Sequence, residues 1–354
     1  TLAVNNSDTL TVDPTTEDRL VYSQGDGQSA TVDTAVATAP RVQILDDYGN
    51  PVSGVTVNFA ITDALPLSGS LGAASDITDA SGYASVTYTL GQTVGTNTMR
   101  ASAGGLTGAP TLYDFSETGT VDAADHLTFT TEPTANETQN NTFGTQPVVE
   151  IRDQFENVRT GDNASVVTLT AYLGAGCSAG AVGSLTNNTD TVSAGIATFT
   201  TLQHSGAETI SVEATLGGST ADCSTTTQVY TTMSIDNDPA GNLNTGDAHR
   251  FEVTGGVPPL TFSVLTNNSG SSIGGAYTGG LCTGGKICGD YTAGMTGGAV
   301  VDTIQVTDSS AGTNGDTSTA TVDGAAFTNT GDSVAYGSNA GDLSRTFTVN
   351  NGDR

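Results

Sequence analysis

Two segments of this chain resemble each other. Residues 41–50 read RVQILDDYGN and residues 148–157 read VVEIRDQFEN, an offset of 107 positions that also relates Leu20 to Leu127. Similar segments at a fixed offset are the sequence signature of a repeated folding unit. The chain therefore contains at least two copies of one unit of about 100 residues.

Short runs of alternating apolar and polar residues fill each copy. The predicted strands of the first copy are residues 19–22, an alternating strand that ends at the turn 46–50, residues 55–61, residues 83–90 and a final strand 97–103. Those of the second copy are residues 126–130, an alternating strand that ends at the turn 153–157, residues 165–172, residues 196–202 and a final strand 208–215. Gly, Asn, Asp and Pro separate these runs, as in turns between strands. The spacing predicts a β-sandwich in each copy.

Disorder is the first alternative to this interpretation, because the net charge is −28 and hydrophobicity is low. The apolar residues are not scattered, however. They alternate within runs bounded by turn residues, and runs with helical spacing are missing. The pattern therefore favours a folded all-β chain.

The charge balance excludes two classes of partner. Nine basic residues stand against 37 acidic ones, and Lys286 is the only lysine. Nucleic acid binding needs basic side chains that face phosphates, and an anionic membrane surface repels an acidic chain. No apolar run approaches the 18 residues of a membrane span. We expect neither nucleic acid binding nor membrane insertion in this segment.

Two turn motifs of the first copy carry a family resemblance. Residues 46–52 read DDYGNPV and residues 78–84 read TDASGYA. They resemble the Asp-x-x-Gly-Asn-Pro-Val and Thr-Asp-x-x-Gly-x-Ala motifs of the bacterial immunoglobulin-like domains of invasin and intimin. The second copy has Glu156 at the turn glycine and is similar to a sister class of surface-protein repeat. The resemblance implies tandem immunoglobulin-like β-sandwich domains that are extracellular, on a cell surface.

A third unit is predicted to start near residue 231. Residues 251–264 read FEVTGGVPPLTFSV and resemble the Gly-Gly-x-Pro-Pro turn and following strand of another bacterial immunoglobulin-like repeat. The predicted organisation is an N-terminal strand segment 1–18, immunoglobulin-like domains 19–123, 124–230 and 231–323, and a C-terminal partial β segment 324–354.

The two end segments are too short to form domains. Strands are predicted near residues 2–4, 9–12 and 345–349. Because an isolated pair of strands is marginally stable, each end needs a partner. That partner is either another copy of the chain, joined head-to-tail by strand complementation, or a covalent neighbouring repeat.

Four cysteines, Cys177, Cys223, Cys282 and Cys288, fit two disulfides in an oxidising compartment. Free thiols in the cytosol are the alternative. Pairing Cys177 with Cys223 and Cys282 with Cys288 keeps each bridge within one unit, so that the units fold separately. We predict these two pairs.

Residue patterns typical of catalysis are rare in this sequence. No H-E-x-x-H or C-x-x-C motif occurs, and the histidines His126, His204 and His249 stand far apart. We predict a protein that is not an enzyme, with no catalytic or cofactor-binding residue. Asp46 and Asp47 are the metal candidates, because calcium at this strand end could link neighbouring domains. The alternative is that these aspartates cap a turn.

The favoured function is mechanical. The sequence predicts a structural subunit of an extracellular surface filament or adhesin stalk, whose partners are copies of itself or neighbouring repeats. A module that binds a surface receptor or glycan is the first alternative, although the lack of Trp weakens the glycan version. A non-catalytic accessory region of a larger secreted protein is the second.

Overall fold

The structure is a computed structural model. It describes residues 13–63, 69–276, 278, 282, 284–296, 298–309 and 315–323. Every regular element within these ranges is a β-strand, so the all-β prediction is confirmed. None of the described residues belongs to a helix that could cross a membrane.

The first domain consists of two facing sheets. Its strands are β1 Arg19–Gln24, β2 Ser29–Thr31, β3 Arg41–Leu45, β4 Thr56–Ile61, β5 Ser70–Leu71, β6 Ser75–Ile77, β7 Tyr83–Ser85, β8 Tyr88–Thr89, β9 Gly95–Ala103 and β10 Leu112–Thr120. One sheet has the order β1-β3-β7 and the other β2-β10-β9-β4-β6, while β5 pairs with β8. Strand β2 runs parallel to β10 and the other pairs are antiparallel.

The second domain repeats this arrangement. Its strands are β11 His126–Thr131, β12 Asn136–Thr138, β13 Val148–Arg152, β14 Val166–Leu173, β15 Leu185–Thr186, β16 Thr189–Thr191, β17 Ile196–Thr198, β18 Gln203–His204, β19 Thr209–Thr215, β20 Asp222–Cys223 and β21 Thr227–Tyr230. The sheets have the orders β11-β13-β17 and β12-β21-β19-β14-β16, with β20 beside β19 and a separate pair β15-β18.

The third domain has a four-stranded sheet on each side. Its strands are β22 Ser234–Ile235, β23 Leu243–Asn244, β24 Ala248–Thr254, β25 Thr261–Thr266, β26 Ser272–Ile273, β27 Ile287–Thr292, β28 Val300–Thr307 and β29 Gly315–Asp323. The sheet orders are β22-β24-β27-β26 and β23-β29-β28-β25.

The strand order identifies the fold. We letter the strands of the third domain A (β22), A′ (β23) and B to G (β24 to β29). One sheet then reads A-B-E-D and the other A′-G-F-C, which is the immunoglobulin arrangement. In the first two domains the A, B and E strands likewise face C, F and G. Strand pairs form only within residues 19–120, 126–230 and 234–323 among those described. The prediction of tandem immunoglobulin-like sandwiches is confirmed.

Each domain has its own hydrophobic core. Strand β4 illustrates why the sequence folds this way, since Val57 and Phe59 point inward while Thr56 and Asn58 are exposed. Burying one such large side chain stabilises the fold by about 1.5–3 kcal/mol. Separate cores make each domain a cooperative unit.

Two details of the predicted strands are wrong. The predicted strand 83–90 is two strands, β7 and β8, because the chain changes its pairing partner part-way. Its counterpart 196–202 contains only β17, and the next strand, β18, begins at residue 203. Burial still alternates without a break through Ala84, Val86, Tyr88 and Leu90, so the apolar pattern does not reveal the switch.

The predicted final strand 97–103 is followed by β10, and the predicted final strand 208–215 is followed by β20 and β21; the sequence analysis missed all three. In β10 an inward position is taken by Glu117, so the apolar alternation is interrupted. The predicted strands near residues 2–4, 9–12 and 345–349, and the whole segment 324–354, lie outside the described residues.

Candidate functional site at the joint between domains

The turn after β3 is organised by one buried carboxylate. Asp46 Oδ1 accepts hydrogen bonds from the backbone N–H groups of Tyr48 at 3.1 Å and Asn50 at 2.7 Å. Its Oδ2 accepts from Asn50 Nδ2 at 3.0 Å and from Thr15 N at 3.0 Å. Since Thr15 precedes the first strand, the carboxylate fixes the incoming chain against the turn.

The turn after β13 has the same construction. Asp153 Oδ1 accepts from the backbone of Phe155 and of Asn157, at 2.9 Å each. Its Oδ2 accepts from Asn157 Nδ2 at 3.0 Å and from Asp122 N at 3.1 Å. Asp122 stands 107 positions after Thr15, so the repeat includes the linker as well as the turn.

The hydrogen bonds at both carboxylates favour the ionised form. Each is fully enclosed, and burial raises its pKa, but the hydrogen bonds donated to it have the larger combined effect. The pKa of Asp46 and the pKa of Asp153 therefore both lie below their ordinary value. A buried charge that accepts several N–H bonds makes a stronger cap than a neutral side chain does.

Asn157 also connects the second domain to the first. Its Oδ1 accepts a hydrogen bond from Val94 N at 3.1 Å, and its Nδ2 donates to Gln92 O at 2.8 Å. Both partners are backbone atoms of the loop between β8 and β9. The Asn157 side chain is only 7% exposed. One amide group thus joins the Asp153 turn to the neighbouring domain.

Asp46 caps the turn, which is the alternative to calcium binding, and calcium at Asp46 and Asp47 stays a hypothesis. The two oxygens of Asp46 accept five hydrogen bonds, the fifth from Thr15 Oγ1 at 3.2 Å, so a cation there has to displace donors. Asp47 Oδ1 accepts from the same hydroxyl at 3.3 Å. The described residues hold no group of three or more His, Cys, Asp or Glu side chains placed to bind a metal ion.

The cysteines pair as the sequence analysis proposed. Cys177 is bonded to Cys223 and Cys282 to Cys288, with Cα–Cα distances of 5.9 and 6.0 Å. Each bridge lies within one domain. The first ties the loop after β14 to the short edge strand β20, and the second closes a loop before β27.

Two serines do fit a G-x-S-x-G pattern that the sequence analysis overlooked, Ser178 and Ser272. In hydrolases this pattern forms a turn from a strand into a helix. Here Ser178 follows the disulfide cysteine Cys177 and Ser272 begins β26, and no helix follows either in the described chain.

The histidines are separated. His126 Nδ1 lies 3.0 Å from Asp125 Oδ2, His204 Nε2 lies 2.9 Å from Glu208 Oε1, and His249 Nε2 donates to the backbone oxygen of residue 237. The first two share the second domain, and each of the three has a local partner.

A buried polar network in the third domain was also missed. Asp302 Oδ1 accepts from Ser269 N at 2.9 Å, and Asp302 Oδ2 accepts from Tyr291 Oη at 2.6 Å. Burial raises the pKa of Asp302, but the hydroxyl and backbone donors outweigh it and lower that pKa to about 2. The network joins β27 to β28 through the core.

The core of the first domain contains unpaired polar atoms. Within the described chain the hydroxyl of Tyr88, Glu117 Oε1 and both carboxylate oxygens of Asp63 are buried without a hydrogen-bond partner. Burial, followed by the charges of Asp63 and Glu117, raises the pKa of Tyr88. Residue spacing alone does not indicate this cluster.

No protein-family model and no curated protein matches the chain. Among solved structures, it is similar to the Escherichia coli adhesin FdeC, with 16% identity and a TM-score of 0.47 over 88% of this chain and 99% of that one. It is also similar to invasin, described as a bacterial integrin-binding protein, with 16% identity and a TM-score of 0.33 over 86% of this chain and 60% of that one.

A structure of three immunoglobulin domains of titin is similar as well, with 10% identity and a TM-score of 0.31 over 89% of this chain and 100% of that one. Bacterial surface proteins are thus among the structures that this chain is similar to, as the turn motifs indicated. The fold assignment itself rests on the strand order.

Proposed function

We propose that this chain is a structural, non-enzymatic segment of an extracellular stalk or filament on a cell surface, of the kind that adhesins use. The observation that carries the proposal is the pair of hydrogen bonds from Asn157 to Gln92 and Val94, because a spacer has to hold neighbouring domains in a fixed relative position. A flexible linker would leave the domains free to move, as is the default between domains. Here the linker is fixed to the Asp153 turn and the turn to the preceding domain.

Other features support an extracellular role. Two disulfides fit an oxidising environment. A net charge of −28 keeps an exposed protein soluble. The buried Asp46 and Asp153 each hold a turn and a linker in place by hydrogen bonds, which is a structural role.

The proposal is tested by comparing Asn157→Ala with Asn50→Ala in the full chain. Both variants lose the same amide contact to the turn aspartate, but only the first loses the bonds to Gln92 and Val94. We expect hydrogen exchange at Val94 to accelerate by about tenfold or more in Asn157→Ala only. Small-angle scattering should then show a wider distribution of domain arrangements. Equal behaviour of the two variants would show that the joint is not built on Asn157.

Polymerisation is a further part of the proposal. We infer that the strands predicted within residues 1–12 and 324–354 complete each other between copies, since a strand edge that lacks a partner adds readily to another sheet. Such a head-to-tail contact gives open filaments unless the rotation closes a ring. Deleting residues 1–12 tests this and leaves Thr15 in place. Filaments of normal length after the deletion would contradict strand complementation.

A glycan-binding function is the second candidate, favoured by one observation. Tyr22 is 45% exposed and stacks on Tyr113 with ring centroids 5.0 Å apart. The Tyr113 hydroxyl donates to Asp26 Oδ2 at 2.7 Å. A fixed aromatic face beside a carboxylate can hold a sugar ring. Glycan-array binding that is lost in Tyr22→Ala and kept in Tyr48→Ala would favour this candidate over the purely mechanical one.

A further inference from the structure

The Asp46 turn, at the N-terminal end of the first domain, has the same construction as the Asp153 turn. The second domain uses the Asp153 turn to contact the first domain, and we call that contact the joint. The donor set of Asp46 matches that of Asp153, position by position at an offset of 107, and includes the linker N–H of Thr15 or Asp122. Because the linker and turn have the same construction, Asn50 lies at the entry end of its domain as Asn157 does.

The two surfaces differ in what covers them. Asn157 uses both atoms of its amide across the joint. Asn50 donates to Asp46 Oδ2, and its Oδ1 has no hydrogen-bond partner among the residues described. The aromatic residue of the turn is also less covered in the first domain, since Tyr48 is 78% exposed whereas Phe155 is partly buried. Among the described residues, no loop fills the joint surface of the first domain.

We propose that the turn Asp46–Asn50 is a docking surface for another immunoglobulin-like domain of the same kind. The part of the partner that binds is a loop that presents a backbone C=O and, two residues later, a backbone N–H, as Gln92 and Val94 do. The C=O accepts from Asn50 Nδ2 and the N–H donates to Asn50 Oδ1. Tyr48 packs against the same partner.

The inference concerns how domains join, and it holds whether or not the whole chain forms a stalk. The charge of Asp46 is compensated within its own domain, so the docking surface offers an amide and an aromatic ring. A partner is therefore recognised by backbone geometry and apolar contact. The exposed carboxylate of Asp47, which also lies on this turn, disfavours an acidic peptide.

A tandem duplication within the full chain tests the proposal. An extra copy of residues 15–121 is inserted directly after residue 121, which puts Thr15 of the second copy where Asp122 normally stands. The loop of the first copy then faces Asn50 of the second, while the loop of the second copy still faces Asn157. Mass spectrometry of hydrogen exchange follows the peptide around Val94, which is identical in the two copies.

If the proposal is right, both copies of this peptide are protected and exchange as one slow population. Asn50→Ala in the second copy should convert half of the peptide to exchange about tenfold faster, at the rate that Asn157→Ala gives in the natural chain. Asn50→Ala in the first copy is the matched control and should change nothing. The proposal would be overturned if half of the Val94 peptide exchanged fast in the unmutated tandem protein while its circular dichroism was unchanged.

Discussion

Glu156 adopts in the second domain the left-handed conformation that Gly49 adopts in the first, with φ of 69° against 86°. Glycine takes this conformation without steric cost, whereas other L residues lose roughly 1 kcal/mol there. The Glu156 carboxylate lies 3.3 Å from Arg152 and 3.4 Å from His126, but it is exposed. Exposed ion pairs contribute about 0–1 kcal/mol, so they offset the backbone cost only in part.

We therefore expect Glu156→Gly to stabilise the second domain by about 0.5 kcal/mol, and Gly49→Ala to destabilise the first by about 1 kcal/mol. A Cβ at Gly49 meets only Arg19 at ordinary contact distance, so the effect of that change comes from the backbone. Calorimetry that resolves the domain transitions measures both shifts. A lower stability of Glu156→Gly would show that the Arg152 and His126 contacts outweigh the strain.

The second prediction concerns two buried tyrosines with opposite surroundings. The Tyr88 hydroxyl has no partner within the described residues, whereas Tyr291 donates to Asp302 at 2.6 Å. Tyr88→Phe removes an unsatisfied polar group and should stabilise its domain by about 1 kcal/mol. Tyr291→Phe should destabilise its domain by about 1–3 kcal/mol. If Tyr88→Phe instead lowers the melting temperature, the hydroxyl has a water or cation as its partner.

The third prediction follows from the lowered pKa of Asp302. A carboxyl whose folded pKa is about 2 and whose ordinary value is 3.8 stabilises the folded state at pH values above 3.8. That contribution, about 2 kcal/mol, is lost as the pH falls from about 4 to about 2. We expect the third domain to show this acid loss and Asp302→Asn to abolish it. Unfolding followed from pH 6 to pH 2 measures it, and an unchanged pH profile in the variant would exclude this residue as the cause.

The fourth prediction compares the two disulfides. The bridge Cys177–Cys223 closes a separation of 46 residues and Cys282–Cys288 one of 6. In the chain-entropy model the first contributes about 4 kcal/mol and the second about 2 kcal/mol. Replacing each pair by alanine should therefore lower the stability of the second domain more than that of the third. Denaturant unfolding of the two double variants decides the order.

The fifth prediction addresses calcium. Because five donors already satisfy Asp46, we expect neither millimolar calcium nor a chelator to change the melting temperature of the first domain. A shift that Asp47→Asn abolishes would show that the cation binds at this turn after all.

The repeat, the sandwich fold and the cysteine pairs follow from sequence because each depends on local periodicity or on a small number of combinations. The joint does not. Asn157 was visible as a turn residue, but its partners are backbone atoms of a loop more than 60 positions away, and backbone atoms leave no trace in a sequence. Strand β10 was missed for a related reason, since the buried polar side chain of Glu117 breaks the apolar alternation on which strand prediction depends.

The N–H bonds from Thr15 to Asp46 and from Asp122 to Asp153 also determine where tension enters each domain. When the chain is pulled from its ends, the linker transfers force to the turn after β3 or β13 before the force reaches β1 or β11. The force then acts on two neighbouring antiparallel strands together, so their hydrogen bonds share the load. A domain attached in this way should resist pulling better than its equilibrium stability suggests.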